Sequence, residues 1–254
     1  MICQLCLEDK PLLKKSHIVP NFMYKDLFGE KHRLVDINLN DISQKKYIQS
    51  GYWEKDILCA SCDNGILGKL ERYASNAIYS AQTENSEVKK EFFEGKGEFM
   101  PFIRISNLDF AKTKLFLLSI LWRCHLSTKP LFADVQLGKY AEKIRKMIFH
   151  NQPGREDELE VVLIYLATEG TRPSKSIISP RCIKDGGNTS YVFHINEITY
   201  HFNVSEFNKI SLYEKGIIRN DGIMDLGIVG GSMARGYFDD YIGRTFLMKS
   251  NIKR

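Results

Sequence analysis

Cys3-Gln4-Leu5-Cys6 and Cys59-Ala60-Ser61-Cys62 decide the reading of this chain. Each pair sets two thiolates one tight turn apart, the spacing from which one stretch of backbone grips a tetrahedral zinc ion. Two such pairs complete a four-sulfur shell. Between them lies Ser16-His17-Ile18-Val19-Pro20, one histidine in an apolar, strand-like segment inside the loop that the metal closes. Zinc held by four thiolates has no open position for water, so its role is to organise the fold. The loop from Cys6 to Cys59 has too little core to fold unaided, and metal binding and folding are expected to be coupled.

The remaining 254-residue composition is that of an ordinary globular chain, 43% hydrophobic and 26% charged, enough for one sizeable core and a small second module. Met1-Ile2-Cys3 runs at once into the metal pair, which leaves no room for a signal peptide. The most apolar run, Leu115 to Trp122, is too short to span a bilayer. The expected location is cytoplasmic, with no membrane partner. Cys124 and Cys182 stand alone in apolar contexts, and the paired spacing of the other four favours metal over disulfides.

The net charge is +5, but residues 1–80 hold 11 Lys and Arg against 10 Asp and Glu. A zinc ion with four thiolates adds about −2 to that stretch. Binding to nucleic acid would need Lys14, Lys15, Lys25, Lys31, Arg33, Lys45 and Lys46 on one side. Such a weakly charged surface predicts modest, salt-sensitive affinity.

The pattern predicts an α+β chain. A small zinc-stabilised ββα module of treble-clef type spans 1–81, a solvated linker 82–99, and a larger α+β domain 100–254. In the first unit, Leu13–Val19 reads as strand, Asn21 onward as a short helix ending at Gly29, and Leu34–Ile37 as strand. A helix should run from Cys62 to about Ser80, with Ile66, Leu70, Tyr73 and Ala77 on one face. In the second unit, a core helix covers about 109–126, capped by Asn107 or Asp109 and apolar nearly all round. Another covers 138–150. Beyond 158 the pattern is mostly strand: Leu159–Ala167, then a hairpin of Tyr191–Asn196 with Tyr200–Val204. Gly227-Ile228-Val229-Gly230-Gly231-Ser232 lacks the lysine of a phosphate loop and reads as a turn.

The order Cys-x-x-Cys, His-Ile-x-Pro, Leu-Cys-x-x-Cys and helix resembles the zinc-bearing branch of the HNH endonucleases over about residues 1–75. That resemblance implies a β-hairpin and helix around one divalent metal. It implies a histidine general base that activates water against a scissile phosphate, and a metal that steadies the leaving oxygen. By position, His17 matches the base. Asp63 stands where the family closes its site with His or Asn, and a carboxylate there can hold Mg²⁺ or Mn²⁺. The family's ligand before the base is Ser16 here, and its orienting Asn falls in Trp53-Glu54-Lys55-Asp56. Nucleic acid, DNA ahead of RNA, would be the substrate. Bacterial defence is a common setting for such nucleases.

Glu71 is a second carboxylate on the same helix, but in one straight α-helix eight residues set it about 80° round and 12 Å along from Asp63. His32, His125 and His150 read as surface or core residues, and His194 and His201 as facing each other across the hairpin. The alternative to an enzyme is an inactive zinc-stabilised module, its metal ligands lost at Ser16 and Lys55, that binds nucleic acid or docks a protein partner. Residues 100–254 would then be the platform for that partner.

Overall fold

The computed structural model describes residues 1–28, 34–37, 45–48, 50–80, 87–96, 100–167, 176–185, 187–205, 216–231, 233, 234 and 236. They form a mixed α+β structure whose centre is a seven-stranded sheet. Its strands are β5 (Lys89–Phe93), β6 (Phe102–Ser106), β7 (Val161–Ala167), β8 (Ser176–Asp185), β9 (Asn188–Asn196), β10 (Ile198–Asn203) and β11 (Met224–Gly230). Their order across the sheet is β5-β6-β11-β7-β10-β9-β8, and every pairing is antiparallel except β11 on β7. Four strands lie outside it. β1 (Ser16–His17) pairs with β4 (Trp53–Glu54), and β2 (Leu34–Ile37) with β3 (Lys45–Ile48).

β7 explains its own sequence. Val161 and Leu163 join the main core with the helices, while Val162, Ile164 and Leu166 meet Val229 and Ala234 in a second cluster on the other face. A strand buried on both faces reads as one continuous apolar run, and Val161-Val162-Leu163-Ile164 is that run.

Three helices cover the main face. α1 (Gly68–Ala74) is extended at its start by a π-helical turn, Ser61–Leu67, and at its end by another, Ser75–Tyr79. α2 (Phe110–Leu126) packs between α1 and α3 (Lys139–Phe149), touches β7, and is buried on every side from Thr113 to Cys124. Asp109 caps α2 by accepting from the Lys112 amide at 2.9 Å. One continuous core holds Cys3, Leu5, Leu58, Cys59 and Cys62 together with α2, α3 and the sheet. The N-terminal residues and the rest share their interior.

Several expectations need correcting. The segment 82–99, read as a linker, supplies edge strand β5. Its Glu- and Lys-rich composition reflects an edge that faces water. Lys90 on that strand donates to the carbonyls of Ile78 and Ser80, closing the helix end before it. The strand expected over Leu13–Val19 shrinks to Ser16–His17, because its partner β4 is only two residues long. Gly227 to Gly230 are not a turn but the end of β11, with Gly231 following at φ +57°. His194 and His201 are not opposite each other. Thr199 faces His194, Val192 faces His201, and the His194 ring meets the Thr199 hydroxyl at 3.0 Å. His32 lies outside the described residues, whereas His125 Nδ1 accepts from the Leu137 amide and His150 ends α3.

Candidate metal centre and the histidine beside it

The sulfurs of Cys3, Cys6, Cys59 and Cys62 lie within 4.8 Å of one another. A tight turn at Cys3–Cys6 and the first π-helical turn after Cys59 bring them together. The Cys62 and Asp63 amides both fold back onto the Cys59 carbonyl. The two pairs are stitched by Gln4 N–H to the Ile57 carbonyl and Cys59 N–H to the Cys3 sulfur. Cys6 and Cys59 sulfurs stand 4.0 Å apart, twice a disulfide bond and near the separation of about 3.8 Å that tetrahedral Zn–S bonds impose. All six cysteines are free thiols. Burial pushes the Cys62 and Cys6 thiols up. At Cys59 burial acts the same way, but hydrogen bonds from Ser61 and Cys62 outweigh it and bring the thiol down to about 6. A thiophilic cation fits this buried set, with zinc the natural occupant.

Beside this centre sits a cluster of charge. His17 on β1, Asp63 and Glu71 on the helix, and Arg123 on α2 act on one another electrostatically. Arg123, 1% exposed, donates from Nη1 to the His17 carbonyl at 3.0 Å and to Glu71 Oε1 at 2.6 Å. Its Nε donates to the Ser119 carbonyl at 3.2 Å. A guanidinium's fixed fork suits it to hold three such acceptors at once. The helix is not uniformly α. Its first turns, Ser61–Leu67, are π-helical and hold more residues per turn, so the 80° offset counted for a straight α-helix does not apply between Asp63 and Glu71.

Burial is the main cause that lowers His17 from its ordinary value. Lys15 and Arg123 add to it, and Glu71 opposes. Its imidazole is therefore neutral near pH 7, and Nε2 has no hydrogen-bond partner. Burial raises Asp63, with Glu71 adding to the effect and Arg123 and Ser16 opposing. The Ser16 hydroxyl is fully buried near that carboxylate but makes no hydrogen bond of ordinary geometry. Among the described residues, the four cysteines alone bring three or more ligand atoms within 4.8 Å. His17, Asp63 and Glu71 do not form a preassembled three-ligand set.

Two further ties hold the site to the larger part of the chain. Arg145 on α3 donates to the Leu5 carbonyl in the first cysteine turn at 2.5 Å while pairing with Glu142. Glu54 on β4 accepts from the Ser127 hydroxyl at 2.9 Å and the Thr128 amide at 2.7 Å, beyond the end of α2. Glu54 is thereby an anchor, not a ligand, and Lys55 is exposed. Arg123, Arg145 and Glu54 were not singled out by the sequence. The one signal for Arg123 was a lone cation in the apolar run Leu117-Leu118-Ser119-Ile120-Leu121-Trp122.

Comparison with known proteins finds no matching family model, no matching curated relative and no matching solved structure. Among the described residues, no helix is long and apolar enough to cross a membrane.

Proposed function

We propose that this chain is a metal-dependent nucleic-acid phosphodiesterase of the HNH type, built on a treble-clef zinc module, with His17 as general base. The observation that carries the reading is the state of His17. Its backbone is fixed by Arg123, its ring is neutral, and its Nε2 is buried without a partner in the field of the Glu71 carboxylate. A buried imidazole nitrogen left open costs stability unless something else uses it. A water bound there would lose its proton to Nε2 as its oxygen attacks phosphorus. The P–O bond to the leaving sugar oxygen then breaks, and solvent protonates that oxygen.

Asp63, with Glu71 behind it, would hold Mg²⁺ or Mn²⁺. Such a cation supplies charge to the leaving oxygen and to the crowded phosphate. A carboxylate such as Asp63, whose proton affinity is raised by burial and by the neighbouring Glu71 charge, is a group that a divalent cation relieves. Zinc at Cys3, Cys6, Cys59 and Cys62 stays structural. DNA is favoured over RNA, and defence against foreign DNA is the biological setting this reading suggests.

A second reading has an observation of its own. Because His17, Asp63 and Glu71 are not preassembled around a cation, the module fits an inactive frame that binds nucleic acid or docks a protein. Plasmid and oligonucleotide cleavage by zinc-loaded wild type and His17→Ala, with Mg²⁺, Mn²⁺ or Ni²⁺ added, decides between them. Nicking by wild type and none by a folded, zinc-loaded His17→Ala protein supports the nuclease. No cleavage with any metal, at full zinc occupancy, supports the inactive frame.

A further inference from the structure

β1 and β4 pair so that Trp53 stands directly opposite His17. Opposed residues of an antiparallel pair point to the same face, with Cβ atoms about 5 Å apart. The residue across the ribbon from the base is thus a half-exposed indole. Two lysines from distant parts of the chain lie over it. Lys15 Nζ, from the residue before β1, is 5.5 Å from the ring centroid, and Lys129 Nζ, from the turn after α2, is 5.7 Å from it. Lys129 also stands 4.0 Å from Glu54, whose carboxylate is already engaged by Ser127 and Thr128. Two ammonium groups against the one Glu54 carboxylate leave this cluster with a net positive charge.

We propose that Trp53, Lys15 and Lys129 form the subsite for one unpaired nucleotide next to the phosphate that His17 addresses. The assignment rests on the nuclease reading for the role of His17, but not for the binding itself. An indole offers a π-face that any unstacked base can cover, while a base inside a duplex has both faces occupied. The two ammonium groups now over that ring would move aside on flexible stems as the base arrives and meet the phosphates on either side of the nucleotide. β1 and β4 are two residues each. A ribbon that short does not lie along a major groove, so this face selects strand state rather than sequence. The substrate class it specifies is single-stranded or locally opened nucleic acid.

The chain has two tryptophans, and Trp122 is buried in α2. Both indoles emit, but only Trp53 is within reach of a bound base, so quenching by a ligand reports the subsite. The test is binding of oligothymidylate, and of a duplex of equal length, to the zinc-loaded full chain with no divalent cation added. Saturable quenching by the single strand is expected, with affinity at least tenfold above that for the duplex. By anisotropy of a labelled strand, Trp53→Ala should weaken binding about tenfold or more, and Trp53→Phe should restore most of it. Lys15→Gln changes an exposed side chain and leaves the fold intact; it should shrink the salt slope by about 0.7.

Unchanged affinity in Trp53→Ala and Lys15→Gln together with no quenching, or a preference for duplex, overturns the subsite. The two proposals fail separately. Cleavage by wild type with Trp53 indifferent leaves the nuclease and removes the subsite. Binding through Trp53 with no cleavage under any metal leaves the subsite and removes the nuclease.

Discussion

Arg123 donates to the carbonyl oxygen of His17 from a position 106 residues further along the chain. A side chain in the most buried helix thus sets the backbone of the candidate base, and the same nitrogen carries Glu71. The charge is out of water, so its value lies in being fully satisfied. The site is consequently a property of the whole chain, not of its first 80 residues.

Removing that guanidinium tests the point. Arg123→Met leaves Glu71 and the His17 carbonyl without their donor, and a stability loss on the order of 3 kcal/mol is expected in urea unfolding. Glu71 is 26% exposed on its side chain, so Glu71→Gln should cost clearly less. Equal losses from the two would show that the pair, not the carbonyl contact, is what Arg123 supplies.

Metal content is the second measure. One zinc per chain is expected, lost in Cys3→Ser and in Cys59→Ser. Because the cysteines share one core with α2 and the sheet, the zinc-loaded chain should melt in a single transition. Two separated transitions would mean that the zinc unit folds by itself.

Under the proposed nuclease reading, the pH dependence of cleavage is set by His17. Burial, then Lys15 and Arg123, lower it from its ordinary value, and it works as a base only when neutral. The rate should climb on the acid side and level off below about pH 6.5. A tenfold rise per pH unit persisting through pH 8 would assign the proton transfer to another group.

Lys114 gives a stability signature independent of function. Burial in α2 brings its ammonium down to about 8, against the pull of Glu158, Asp157, Glu160 and Glu156, while it donates to the Arg155 carbonyl. Between about pH 8 and 10.5 the unfolded chain holds this proton and the folded one has lost it, so stability gains with pH across that window. Wild type compared with Lys114→Met should gain on the order of 3 kcal/mol there, read from unfolding midpoints. A flat difference would show that the ammonium reaches water.

Local patterning foretold the elements whose signals are local. The core helix expected over 109–126 is found as Phe110–Leu126, with Asp109 capping, and the hairpin at Asn196-Glu197 is formed by β9 and β10. The cysteine cluster was legible from spacing alone. What escaped was long-range or masked by composition. β5 hid in a charged segment because an exposed edge strand needs few apolar residues. The glycines of β11 imitated a turn although they sit in a strand. Arg123 and Arg145 were invisible as anchors, since hydrophobic periodicity marks where a helix is buried but not which carbonyl a buried cation will find. Counting residues from Asp63 to Glu71 assumed an α-helix where the first turns are π.

The parallel pairing of β11 with β7 also orders events in time. β11 lies between β6 and β7, yet it comes from residues 224–230. During synthesis, β5 and β6 emerge more than a hundred residues ahead of the strand that joins them to the others. Until then they are an isolated ribbon with exposed edges, while the cysteine turns and both anchoring helices have already left the ribosome. The long-range pairing should be the slow step. A chain released before residue 224 would leave that ribbon's edges unpaired, a species that proteases and chaperones recognise.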